Sequence, residues 1–413
     1  MVCMRSLKAR RLCSALVAVG ALAPITQASA LWDDRLELFV SERVTRDDNV
    51  FRISDKQDPA ITLGSPSKAD TYYTTSFGFN FNVPVSRQRF QGGVTWNDIR
   101  YNHFTILNLT GRYGQAAWLW QVGNDLSGRL EYTESLALAS LANIQSGVQS
   151  STPNPLLTRR GLFNAAYRLT PSWRVESELS RLERSNQAQA FQANDVNIDS
   201  AGGTVSYISP AGNRIGVGYS EDRADYPNPQ TVAGTLVSNA YRQQNPAIVL
   251  EWVPAGHSRI NVRAGRVKRS YDQLPQRDYQ GPALHAAYEW KPTGKLTLTA
   301  SAQKDISATE EVATGFVVIK SAALRPEFRM TEKTSFSGNL EYADRDYRGD
   351  PGTVLGTVAP REDKVRTAGL VAAYQPTRTI RLELYWTHEN RTSTFVFGDY
   401  HVNVIGISAR LGL

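Results

Sequence analysis

Five histidines, His103, His257, His285, His388 and His401, are the candidates for acid–base work, and none lies close to a serine in a recognisable nucleophile motif. No two of them stand three to five residues apart, and the only cysteines are Cys3 and Cys13, so no stretch has metal-ligand spacing. Glu310 and Glu311 are adjacent and point opposite ways on a strand, whereas paired acid and base catalysis needs two carboxylates converging across a cleft. Asp344, Asp346 and Asp350, mixed with Arg345 and Arg348, read as a solvated approach to a loop. These residues predict no enzyme, no metal and no cofactor.

A different chemistry recurs at every second position. Arg89, Gln91, Thr95 and Asn97 form one such set; Arg129 with Glu131, Arg174 with Glu176 and Glu178, and Arg381 with Glu383 form others, and Arg263 and Gln303 fit the same pattern. Guanidinium, carboxylate and amide groups in that mixture hydrogen-bond hydroxylated solutes without strongly selecting charge.

The elements that must carry these sets are strands. Leu296, Leu298, Ala300 and Ala302 alternate with Lys295, Thr297, Thr299, Ser301 and Gln303, so one face is apolar and the other wet. Phe336 to Tyr342 and Ile380 to Thr387 repeat the pattern. Five large aromatics, Tyr167, Tyr207, Trp252, Trp290 and Tyr374, each precede a proline turn, which suits rings held between hydrocarbon and water. Short turns near Pro84, Asn124, Pro171, Pro210, Pro254, Pro292, Glu332 and Pro376 divide the chain into hairpins.

The prediction is an all-β, transmembrane, antiparallel up-and-down barrel of about 18 strands, with about 16 as the alternative, with short periplasmic turns and longer extracellular loops. The wet face, including Arg89, Gln91, Asn97, Arg129, Glu131, Arg174, Glu176, Arg263, Gln303, Arg381 and Glu383, is assigned to the lumen, because Lys or Arg at the bilayer midplane costs about 2–4 kcal/mol. Alternation falters at 179–182 and 264–267, where bulges or strand ends are expected. Residues 46–70, 142–156, 222–240 and 345–363 are rich in turn formers and read as loops, either extracellular or folded into the lumen.

Arg5, Lys8, Arg10 and Arg11, the apolar run that follows and Ala28-Ser29-Ala30 read as a cleaved export signal over residues 1–30, leaving 31–413 as the barrel. Without those four basic residues the formal charge of +7 falls to about +3, which gives no argument for nucleic acid. The mature chain then carries no cysteine, and its expected place is the outer membrane of a Gram-negative bacterium, with outer-membrane lipid as its partner.

Segments 31–54, 83–101, 118–128, 143–156, 271–281 and 290–311, among them LWDDRLELFVSERVTRDDNVFRIS and VPVSRQRFQGGVTWNDIRY, resemble the EpsL family of outer-membrane proteins linked to exosortase-associated exopolysaccharide biosynthesis, within a broader class of β-barrel porins. The resemblance implies a part in exopolysaccharide biosynthesis and export, as a conduit, with a polysaccharide and other export components as partners. It supplies no list of site residues. The polar loop holding Asn143, Gln145, Gln149 and Asn154 is the candidate for polymer contact, since a polar loop has no core to serve. A general diffusion porin and a structural or adhesion barrel with a closed lumen are the alternatives.

Overall fold

The computed structural model describes residues 35–143, 153–232, 235–308, 316–348 and 361–413. The export signal and its Ala28-Ser29-Ala30 site therefore lie outside the described residues, as do Gln145 and Gln149. In chain order the first strands are β1 (Leu36–Asp47), β2 (Asp70–Val85), β3 (Gln88–Tyr101), β4 (Leu109–Val122), β5 (Leu126–Leu138), β6 (Pro155–Thr170), β7 (Trp173–Asn186), β8 (Val196–Ile208) and β9 (Arg214–Asp225). A small hairpin, β10 (Gln230–Val232) and β11 (Thr235–Val237), interrupts the series. The wall resumes with β12 (Tyr241–Ala255), β13 (Ser258–Tyr271), β14 (Tyr279–Trp290), β15 (Leu296–Ala308), β16 (Phe316–Arg329), β17 (Thr334–Arg348), β18 (Arg361–Tyr374), β19 (Ile380–Ser393) and β20 (Tyr400–Gly412).

All but β10 and β11 join one 18-stranded antiparallel sheet in which each strand pairs with its sequence neighbours. The sheet closes because β1 pairs with β20 as well as with β2, so no edge is left unpaired. Next to that join, Leu413 N donates to Leu38 O at 2.7 Å. The strand number is thus 18 rather than 16.

Registers shift only at Arg168/Thr170 and Trp252/Ala255, both beside short turns. Neither bulges nor strand ends form at 179–182 and 264–267, since β7 and β13 keep their register through these residues with both neighbours. Alternation falters there for another reason. Arg181 and Arg266 follow Leu179 and Ala264 on the outer face, where the strands have left the apolar belt and charge is tolerated.

The outer face follows directly from the pairing. Phe90, Trp118, Leu130, Phe163 and Leu179 form one cross-strand row on five successive strands, and all are exposed on the barrel's outside. On β15 the outward residues are Leu296, Leu298, Ala300 and Ala302 before Lys304 breaks the series. Eight residue steps on a tilted strand span roughly 20 Å, close to the ~25 Å apolar band of a membrane barrel. Tyr167, Tyr207, Trp252, Trp290 and Tyr374 sit on this outer face at the ends of their strands nearest the short turns. Gly123 and Gly212 take φ of 63° and 80° in two of those turns, a left-handed conformation that glycine enters without steric cost.

The opposite, loop-bearing rim is narrowed from two sides. Val50, Phe51 and Ile53, from the segment after β1, pack with Phe104 and Leu107 into a buried apolar cluster against Tyr101, Leu138 and Leu141. Buried Asn49 fixes that segment by donating to Ile53 O at 2.9 Å and His401 O at 3.1 Å. On the far side, pairing of β14 with β15 stops at Leu284 and Lys304. Beyond that point Ile306, Phe316 and Val318 continue the outer parity of their strands, yet they pack against inward-facing Val196, Ala224, Tyr241, Val267 and Tyr271. The loop-side ends of β15 and β16 therefore leave the wall and bend across the mouth.

Candidate functional site

Pairing places Arg89, Gln91 and Asn97 of β3, Arg129 and Glu131 of β5, Arg174 and Glu176 of β7, Arg263 of β13, Gln303 of β15, and Arg381 and Glu383 of β19 on the inner face. Several are tied in pairs two residues apart on one strand: Arg129 with Glu131, Arg174 with Glu176 at 2.8 Å, and Arg381 with Glu383 at 2.7 Å. Such spacing puts both groups on the same side of a strand, so the wall neutralises much of its own charge. Arg89 donates to Asn82 Oδ1 at 2.7 Å, and Asn97 Oδ1 accepts from Ser76 at 2.7 Å.

The inner faces of β6 to β15 enclose a cavity of about 570 Å³. Glu176 and Glu178, Arg214, Asp222, Arg263 and His285 are among its lining residues. Arg214 bridges Glu176 at 2.5 Å and Glu251 at 3.6 Å, which links three strands. His285 Nε2 lies 2.9 Å from Asp305. Arg160, Glu178 and Arg263 have no ion-pair partner among the described residues, so they are the groups most open to a solute's charge. Inward-facing Gly218 leaves room for Arg263 to lie across the wall, with a guanidinium nitrogen 3.6 Å from where a Cβ would stand. Arg160, Arg214, Asp222 and Asp305 were missed by the sequence reading, although the same every-second-residue rule on β6, β9 and β15 reaches them.

At the mouth, Asp363 is fully buried between Arg361, at 2.6 Å, and Arg391, at 3.8 Å. Arg391 also donates to Gly398 O at 2.7 Å and to Ala142 O at 2.5 Å. The second of these contacts joins the segment after β5 to β19 across the barrel. Arg269, buried on β13, lies 3.9 Å from the centre of the Tyr241 ring and donates to Gln243. Asn154 is also buried, with its amide bonded to Asn186 Oδ1 at 2.8 Å and its oxygen accepting from Ala188 N. Both groups of its amide are thus engaged within the fold. Asn143 ends a short 3-10 turn at this rim.

Among the described residues a serine–histidine contact joins positions far apart in the chain: Ser65 Oγ lies 2.7 Å from His103 Nε2. Ser65 is buried and its hydroxyl also bonds Ser67 O at 3.0 Å, so it faces its own loop rather than a solute. Among the described residues no group of three His, Cys, Asp or Glu could hold a metal ion. The arrangement presents guanidinium, carboxylate and amide groups that can hydrogen-bond polar solutes.

Residues 259–413 match the family described as "Putative beta-barrel porin 2". No curated protein sequence matches the chain. Among solved structures, the outer membrane protein OpdK of Pseudomonas aeruginosa is similar at a TM-score of 0.50 and 12% identity, over 92% of this chain and 99% of that one. OccK2 (OpdF) of Pseudomonas aeruginosa, solved with glucuronate, gives 0.48 and 14% over 92% and 99%. A BenF-like porin from Pseudomonas fluorescens Pf-5 gives 0.48 and 12% over 92% and 98%. At such identities the likeness is one of fold: this chain is similar to the outer-membrane porin-type barrels, closed by 18 antiparallel strands.

Proposed function

We propose that this protein is a diffusion porin of the Gram-negative outer membrane, a passive channel for small polar solutes rather than an enzyme. The observation that carries the reading is the contrast between the two faces of one closed wall: apolar outside, and inside a cavity lined by charged groups, with Arg214 paired to Glu176 and His285 beside Asp305. An 18-stranded barrel is wide enough to leave an aqueous passage. The narrowed loop rim sets a size limit, and the self-neutralised wall sets weak charge selectivity. In this reading residues 1–30 are the export signal, the short turns face the periplasm, and the girdle aromatics mark the periplasmic interface. The test is solute uptake by vesicles containing the refolded protein: small sugars should enter at rates that fall steeply with size, and vesicles as tight as protein-free ones would refute the channel.

A role in exopolysaccharide export is the finer reading, supported by the resemblance of segments such as 31–54 and 83–101 to the EpsL family. The two apolar clusters at the mouth speak against a polymer-wide conduit in this conformation. Deleting the gene decides between the readings: surface polysaccharide falls with polymer retained in the periplasm if export is the role, and is unchanged if the barrel is a plain porin.

A further inference from the structure

The ring of charges just beyond the apolar belt, on the outer face towards the loop rim, differs between two sectors of the wall. On β3 to β12 every outward cation of that ring is paired. Arg100 meets Asp98 at 2.6 Å, Arg112 and Arg159 share Glu134 at 2.7 and 3.0 Å, Arg181 meets Glu183 at 2.9 Å, and Arg223 and Arg242 share Glu221 at 3.0 and 3.5 Å.

On β13 to β18 the pattern is different. The first outward residues after the belt are Arg266 and Lys268 on β13, Lys304 on β15, Lys320 on β16, Asp344 on β17, and Arg366 and Lys364 on β18. Six cations thus face one carboxylate at that level, and Lys320 alone reaches it, at 3.4 Å. One step further out stand Asp346, taken by Arg348, and Glu362. Lys304 and Lys320 are direct cross-strand partners, as are Lys320 and Asp344, and Asp344 and Lys364. Like charges directly opposite each other on neighbouring strands are destabilising, so the Lys304–Lys320 pair carries a standing repulsion that an anion between them would remove. No inward contact explains the two lysines, because their side of the wall is the one that carries Leu298, Ala300 and Leu324.

We propose that this basic sector docks the phosphate groups of a phosphorylated glycolipid in the outer leaflet. Depth selects the occupant: the cations begin where the apolar belt ends, at the level of lipid head groups, and the acyl chains of such a lipid would lie along Ile260, Val262 and Ala264 and the matching apolar rows of β15 and β16. Phosphate oxygens accept charge-assisted hydrogen bonds from lysine and arginine together, which a neutral head group cannot do. The inference rests on the outer-membrane placement. A barrel that inserts but carries no solute would refute the channel and leave this docking site standing.

The test uses the full-length protein, refolded and stripped of lipid in detergent, then titrated with a bis-phosphorylated disaccharide lipid or with the same lipid lacking its phosphates, and read by native mass spectrometry. The phosphorylated lipid should be retained about tenfold more tightly, and Lys304→Gln with Lys320→Gln should abolish most of that preference, whereas Arg112→Gln in the paired sector should not. Heat-modifiable migration shows that each variant is folded; if the double variant fails this check, Lys304→Gln alone should still lose part of the preference. Equal retention of both lipids, an unchanged preference in the lysine variants, or displacement of the lipid by equimolar inorganic phosphate would overturn the proposal.

Discussion

Single residues divide between those that hold the mouth and those that line the cavity. Asp363 stands within ion-pair reach of both Arg361 and Arg391, and all three are buried. Asp363→Asn would remove the carboxylate that stands 3.8 Å from buried Arg391 and break the buried ion pair with Arg361, an effect of about 3–5 kcal/mol where a buried pair is broken. Denaturant unfolding should show that loss, and a variant within ~1 kcal/mol of the parent would mean that water already screens the pair. Arg160 and Arg263 of the cavity have no ion-pair partner among the described residues, while Arg381, elsewhere on the inner face, is held by Glu383. Replacing Arg160 and Arg263 by Gln should therefore shift the zero-current potential in a salt gradient towards cations, and Arg381→Gln should shift it less. Arg263 was legible in the sequence as inward-facing, but that it is unpaired was not, because pairing depends on which strands are neighbours and how long side chains lie across them.

The strands themselves were the most legible elements. Alternation fixes which residues of β15 face outward, and the turn signals fall where the short turns form. Ala300→Arg and Thr299→Arg make the comparison within one strand: the first places a charge in the belt at a cost of about 2–4 kcal/mol, and the second enters the lumen at little cost. Folded yield in the same vesicles measures both, and equal damage would contradict the facing of the wall. The inward bend of β15 and β16 was not legible. Ile306, Phe316 and Val318 continue the outward parity, and only the early end of β14 pairing shows that this parity points into the mouth. The segment after β1 was legible as a loop, but not as a plug tied down by ion pairs. Asp55 pays for burial but is held below the usual carboxylate range by Lys68 and His401, and Asp399 is held low by the Ser393 backbone N–H and by Lys56. Groups with depressed values contribute above their unfolded pKa, and the contribution fades as pH falls through the folded one. Hydrogen exchange in residues 48–69 should therefore speed up below about pH 4, relative to the strands, once both carboxylates protonate.

The whole molecule is a closed wall with a wet interior and a crowded mouth. Closure could be foreseen from an even count of alternating strands, whereas the filling of the mouth comes from contacts between segments far apart in sequence, such as Arg391 with Ala142. The width of the mouth is thus set by the assembled rim, and the Phe51→Ala and Phe316→Ala variants together should widen it without opening the wall. Whether the lumen conducts is read from single-channel current through the refolded protein in a planar bilayer: an open lumen gives a steady, weakly selective conductance that rises in the Phe51→Ala, Phe316→Ala variant, and a silent bilayer from folded, inserted protein of both kinds would rule out a channel.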